Sequence, residues 1–213
     1  NKKIIAASPT VYDMAAYPKT LSGKTVATYV NTHTDLSDEL YREGKLVSDN
    51  YKNILRSQTN AAAIPAEVTV RYGVTVRRAN LRNLPTGEGL FFYASDRNFD
   101  ALQETALDPG EAVAILHTST NGYFYYVQAY NYRGWLSKFD VAETDRSTWL
   151  RYAEPKNFLT VVAKDYTLKA DGAQVLFQQG ARLQLADKKA SAYTVKVPVR
   201  TKEGKLQEEK VVL

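Results

Sequence analysis

The sequence predicts a mainly β protein with a small helical N-terminal segment and two small β-barrels. Three observations predict it. Glu111–Val141 reads as strand, tight turn, strand, short turn, strand, with Asn121-Gly122 the dipeptide that favours a type I′ hairpin. Val68, Val70, Tyr72, Val74 and Val76 alternate with polar or small residues, which is the period of a strand. From Phe158 onward, short apolar runs are separated by turn signals, the pattern of a second small barrel. Three antiparallel strands cannot bury a face unaided, so each set must close with its neighbours.

Residues 1–66 are the least regular. Pro9 and Pro18 punctuate an opening that should be extended and wrapped over its neighbour. Thr25–Val30 fits a strand or a helix. Asp35, Ser37 and Asp38-Glu39 supply the oxygens and negative charge of a helix start. Leu36, Leu40, Val47, Tyr51, Ile54 and Leu55 then recur near helical spacing, interrupted by Gly44. Two short helices are expected, the second beginning near Ser48 or Asp49. Ala61–Pro65 makes a connector to the first barrel, residues 67–142, whose opening strand has a possible bend at Gly73. Residues 79–104 form a long excursion with Pro85, Gly87 and Gly89, of the kind that is usually functional or covered. Residues 143–157 read as a linker. The second barrel, residues 158–213, is built from Phe158–Ala163, an apolar run at Val175–Phe177 after the Asp171-Gly172 turn, then Arg182–Ala186, Tyr193–Arg200 and Leu206–Leu213.

The composition excludes several chemistries. There is no cysteine among 213 residues, so disulfides, thiolate catalysis and cysteine-ligated metal are absent from this chain. Two histidines, His33 and His117, would need carboxylates to complete a metal site, and none is assigned. His117 reads as a ring bonded to backbone near its hairpin, His33 as a solvated turn residue. No nucleophile elbow, zinc-protease helix or phosphate-binding loop occurs. The formal charge of +5 is too thin for nucleic acid, and no apolar run is long enough for a membrane span. Asp96, Asp100, Glu104, Asp108 and Glu111 lie in or beside the long excursion, leaving a carboxylate-pair hydrolase as a minor alternative. The start at Asn1-Lys2-Lys3 reads as a trimmed terminus, and the end on Val211-Val212-Leu213 as a cut inside a longer protein.

A resemblance sharpens this outline. Gly110-Glu111-x-Val113, Leu116-His117-x-Ser119, Asn121-Gly122 and Asn131-Tyr132-x-Gly134-Trp135 follow Arg77–Thr86, Phe99–Gln103 and Asp108–Glu111 in order. This series resembles the first of two bacterial SH3-like barrels that precede the catalytic domain of NlpC-type cysteine peptidases, enzymes that cleave peptidoglycan stem peptides. Residues 158–213 are only loosely similar to the second. The resemblance implies an N-terminal clip over 1–66, two SH3-like barrels, and a parent protein cleaving the γ-D-glutamyl–diamino acid bond in the periplasm, the cell envelope or the medium. It places the Cys-His catalytic domain after Leu213. This chain would then have no catalytic residue and no cofactor; its partners would be the stem peptide and that missing domain. The rival reading is a stand-alone wall-binding or protein-binding module.

Six residues are the candidate substrate contacts. Arg78 and Arg82 belong to a basic stripe with Arg71 and Arg77, and planar guanidinium forks suit the carboxylates of stem peptides. Asp100 and Gln103 carry the family-like Phe-Asp-x-Leu-Gln; for Asp100, pinning the loop through backbone amides ranks above ligand contact. Tyr132 and Trp135 come from the aromatic cluster with Tyr123, Tyr125 and Tyr130, of which alternate members should fill the barrel and the others wall a groove.

Overall fold

A computed structural model of the chain describes residues 11–32 and 35–213. Pro9 and His33 lie outside the described residues. The chain is mainly β, as its alternation predicts.

The clip opens with β1 (Thr20–Ser22) and α1 (Gly23–Asn31). Thr25–Val30 is therefore helical. Ser22 Oγ accepts the Thr25 amide at 3.1 Å, and Val26 and Val30, one helical turn apart, are the buried side chains. Gly23 is required where α1 starts, because a Cβ there would stand 1.9 Å from the Pro65 carbonyl oxygen. The expected helix after Asp35 does not form. Asp35 Oδ1 accepts the Ser37 amide in a local turn, and β2 (Tyr41–Arg42) and β3 (Lys45–Leu46) make a hairpin instead. Glu43 and Gly44 have φ of 51° and 80°, which reverses the chain where a helix would have continued. The second helix, α2 (Asp49–Ser57), starts after Ser48 as expected.

The predicted strand 68–76 is two strands. β4 (Glu67–Thr69) pairs with β1, and β5 (Arg71–Thr75) enters the main sheet. The break is at Val70, whose amide donates to Lys19, and not at Gly73; Gly73 instead lets Val141 approach, since a Cβ would meet its Cγ1 at 2.6 Å. The sheet continues through β6 (Ala79–Arg82), β7 (Gln103–Leu107), β8 (Ala112–Thr118), β9 (Phe124–Gln128), β10 (Arg133–Ser137) and β11 (Val141–Thr144) in the spatial order β11-β5-β8-β9-β10-β6-β7. The ladder runs from β11 to β7 without joining its ends. Between β8 and β9 only Gly122 has positive φ, so the expected type I′ turn is a longer loop, closed by Asn121 Oδ1 accepting from the Ser119 hydroxyl and the Tyr123 amide.

Both faces of this sheet are buried, and β8 shows why its apolar run is unbroken. Val113 and Ile115 pack with Leu81, Val127, Leu136 and Val141 in one core. Ala112, Ala114 and Leu116 face the other way, against Met14, Tyr17, Val26, Trp135 and Trp149. The clip is locked onto this second face at Arg133. Its guanidinium lies 3.6 Å from the Tyr29 ring centre, donates to Gln128 Oε1 at 2.8 Å and bonds the Tyr12 hydroxyl.

The segment read as a linker contains a helix, α3 (Arg146–Ala153), capped by Asp145. Trp149 is fully buried against the first sheet, with Nε1 donating to the Val113 carbonyl at 3.0 Å. Tyr152 reaches Glu208 on the far side. Beyond α3, β12 (Phe158–Thr160), β15 (Arg182–Lys189), β16 (Ala192–Arg200) and β17 (Leu206–Val212) form one sheet, and β13 (Asp165–Ala170) with β14 (Ala173–Gln178) a hairpin. They share a core of Leu168, Val175, Phe177, Leu183, Val195 and Val197. Among the described residues, no helix is long and apolar enough to cross a membrane.

Candidate functional site

The loop between β6 and β7, residues 83–102, is long yet firmly held. Arg82 at the end of β6 donates from one terminal nitrogen to Asp100 Oδ2 at 2.6 Å and from the other to the Glu88 carbonyl at 2.6 Å. Asp100 Oδ1 accepts the Leu90 and Leu102 amides at 3.2 and 3.0 Å. One carboxylate thus closes the loop base, and Leu84, Leu90 and Leu102 pack beneath it on Leu36, Leu40, Val47 and Leu55 of the clip. Further out, Asp96 Oδ1 accepts the Asn98 and Phe99 amides, and these backbone bonds hold its carboxyl below the usual aspartate value. The strapped loop nevertheless displays Phe92, Tyr93 and Phe99 at 50, 71 and 78% exposure. Ordered, exposed aromatics offer contact area at low entropic cost, which is how binding surfaces use them.

The clip hairpin stands beside this loop. Tyr41 and Phe91 exchange backbone hydrogen bonds at 2.7 and 2.9 Å. Glu88 joins the two parts: its Oε1 takes Arg42 at 2.6 Å, its Oε2 takes the Tyr51 hydroxyl, and Arg42 lies over the Tyr51 ring. Burial first, then the bond to Glu88, pushes the Tyr51 phenol up to about 12.

The six sequence candidates do not form one groove. Arg82 and Asp100 are together, but the Arg82 side chain is only 6% exposed and acts inside the loop base. Trp135 is fully buried between Tyr126 and His117, so it is core and not groove wall. Gln103 is exposed at the start of β7, opposite Arg82. Arg78 pairs with Asp108 at 3.2 Å, and Asp108 Oδ1 also accepts the Gln178 amide, so this arginine serves the seam with the C-terminal sheets. Tyr132 is at the surface and donates to Glu104 Oε2 at 2.6 Å; that bond, more than burial, raises its pKa. His117 Nε2 lies 3.0 Å from the Asn60 carbonyl, a backbone partner in the clip rather than in its own hairpin, and burial lowers its pKa. Four of the five loop acids are engaged: Asp96 with amides, Asp100 with Arg82, Glu104 with Tyr132, Asp108 with Arg78. Burial raises the pKa of the fifth, Glu111.

Arg42, Tyr51 and Glu88 escaped the sequence reading because Glu88 meets its partners across 46 and 37 residues of chain. The exposed aromatics had a signal, the run Phe91-Phe92-Tyr93 inside a Gly- and Asp-containing loop.

The outer part of this loop and the hairpin strands after it fall within a known domain. Residues 90–137 match the family model described as SH3 domain (SH3b1 type). That part of the chain is SH3-like. No curated protein matches the chain. Among solved structures, the chain is similar to an NlpC/P60 endopeptidase from Photobacterium damselae subsp. piscicida, at 19% sequence identity and a TM-score of 0.75 over 99% of this chain. The chain spans 50% of the length of that protein.

Proposed function

We propose that this chain is the substrate-recognition and targeting region of a peptidoglycan hydrolase, and that bond cleavage belongs to a peptidase domain outside it. The observation that carries this reading is the match of nearly the whole chain to half of an NlpC/P60 endopeptidase. The chain itself holds no cysteine, so a thiolate mechanism has to come from elsewhere. Its contribution is positioning. The clip hairpin and the strapped 83–102 loop make one surface, with Phe92, Tyr93 and Phe99 to pack on a ligand and Gln103 at its edge. Arg82 and Asp100 hold that surface in shape; Arg78 serves the seam with the C-terminal sheets, Tyr132 bonds Glu104 at the surface, and Trp135 fills the core.

In this reading the parent protein acts outside the cytoplasm on the γ-D-glutamyl–diamino acid bond of stem peptides, and residues 67–142 and 158–213 are two SH3-like units joined by α3. A stand-alone binding module would use the same surface. The gene separates the two: an open reading frame continuing past Leu213 into a Cys-His domain supports the hydrolase, and a stop codon there refutes it. The purified chain should release no muropeptide from cell walls, while a protein carrying both halves should.

A further inference from the structure

We infer that the cationic stripe where β11 meets the β16–β17 turn is a second binding site, one that holds a linear polyanion. Backbone joins the two parts there: the Glu143 amide donates to the Gly204 carbonyl at 2.8 Å, and Glu143 forms a parallel bridge with Lys205. Lys138 and Phe139 lie in the short helical turn that leads into β11. Lys138 Nζ stands 5.0 Å from the Tyr123 ring centre and 5.5 Å from that of Phe139, and the two rings are 6.0 Å apart. From β16, the Arg200 guanidinium carbon stands 5.7 Å from the Phe139 ring centre, while its Nε donates to the Val141 carbonyl at 3.1 Å. Tyr123 and Phe139 are nevertheless 53 and 47% exposed. Rings and a carbonyl therefore hold two cations in place at the surface, and no acid neutralises them.

The charges around these two do not cancel. Glu143 is shared by Arg71 at 2.8 Å and Lys205 at 3.6 Å, Asp140 takes Arg77 at 3.3 Å, and Glu203 stands next to Lys202 in the turn. Lys138 and Arg200 form no ion pair among the described residues. The stripe thus holds six cations to three acids, a surplus of three in a chain whose net charge is +5. The clip hairpin and the 83–102 loop differ: with Arg82 they carry four cations and four acids. The pull on an anion therefore comes from the stripe. Arg77 carries it past the rings, donating to the Phe139 carbonyl at 3.3 Å with its side chain still 61% exposed. Single cations set side by side suit a chain bearing one charge per unit. An acidic protein partner fits less well, because such an interface needs an apolar centre, and Tyr123 and Phe139 are already faced by Lys138 and Arg200.

The test is an NMR titration of the ¹⁵N-labelled full chain with medium-length polyphosphate and with pyrophosphate. Polyphosphate should move the amide signals of Tyr123, Lys138–Asp140 and Arg200–Lys205. Raising salt from about 50 to about 200 mM should weaken it about tenfold, as about two to three contacts to single charges imply. Pyrophosphate, which cannot follow the stripe, should bind at least about tenfold more weakly than the chain. Lys138→Gln combined with Arg200→Gln should cost about tenfold in affinity for polyphosphate. Lys138→Arg combined with Arg200→Lys keeps both charges and should stay within about twofold of the parent, as should Lys45→Gln on the balanced surface. Absence of binding at low salt, signals moving only elsewhere, equal affinity for pyrophosphate, or undiminished binding by the glutamine pair would overturn the proposal. So would tighter binding of an oligothymidylate of matched charge, which would make base stacking on Tyr123 and Phe139 the driving contact.

Discussion

The Arg82–Asp100 pair gives the sharpest prediction about how the 83–102 loop is held. The side chains are 6 and 16% exposed and meet at 2.6 Å, so both ions have left water and each depends on the other. Asp100→Ala strands the arginine, and removing one partner of a buried pair costs about 3–5 kcal/mol. It also orphans the Leu90 and Leu102 amides, each worth about 1 kcal/mol when lost, although these terms overlap and do not simply add. The expected outcome is a loss of about 3–5 kcal/mol in urea unfolding followed by tryptophan fluorescence, together with faster hydrogen exchange at Leu90 and Leu102. The paired change Arg82→Met with Asp100→Leu should recover most of the loss in stability, because two matched apolar groups leave no bare charge. It should not restore protection at Leu90 and Leu102, which need an acceptor. A loss below about 1 kcal/mol for Asp100→Ala would refute the reasoning, since that is the worth of an exposed ion pair.

Three other outcomes follow from the packing. Trp149→Ala should cost about 3–5 kcal/mol and loosen both sheets, whereas Trp149→Phe should cost less, keeping the ring and losing the bond to Val113; calorimetry distinguishes them. Gly23→Ala should destabilise by at least about 1–3 kcal/mol and expose the clip to limited proteolysis, because the new methyl collides with Pro65. Burial works against ionisation of Glu208, but Lys196, Tyr152 and Arg151 outweigh it and hold its pKa below the ordinary 4.5. The stabilisation is therefore present above that value and lost as pH falls through the lower, folded-state value. Glu208→Gln should be destabilising at neutral pH and indistinguishable from the parent in strong acid, measured by thermal melting across the pH range.

What the sequence revealed and concealed has physical causes. The strands were legible wherever one or both faces are buried, as in the Val68–Val76 alternation and the unbroken run of β8. α2 was legible because Ser48 caps it and Leu55 anchors it. α1 and α3 were not. Thr25 and Val26 favour strands in isolation, and only docking on the sheet settles the helix; α3 hides in a polar stretch whose decisive residue is a single tryptophan. The hairpin after Leu40 was mistaken for helix because Leu36, Leu40 and Val47 reach one core from non-helical backbone. Among site residues, identity was easier to read than direction. An arginine and an aspartate in a loop signal ligand binding as readily as a buried pair, and alternation places Trp135 on one face without saying that α1 and the clip cover it. Arg42, Tyr51 and Glu88 meet only through tertiary folding.

The central claim is that a rigid, aromatic loop of this chain engages the cell wall. Its most direct test is pelleting of the purified chain with insoluble peptidoglycan, comparing the parent with Tyr93→Ser combined with Phe99→Ser, two exposed positions whose replacement leaves the core untouched. The account predicts retention of the parent and loss of most of it in the double variant, with unchanged thermal stability. Equal retention of both proteins, or none of the parent, would contradict it.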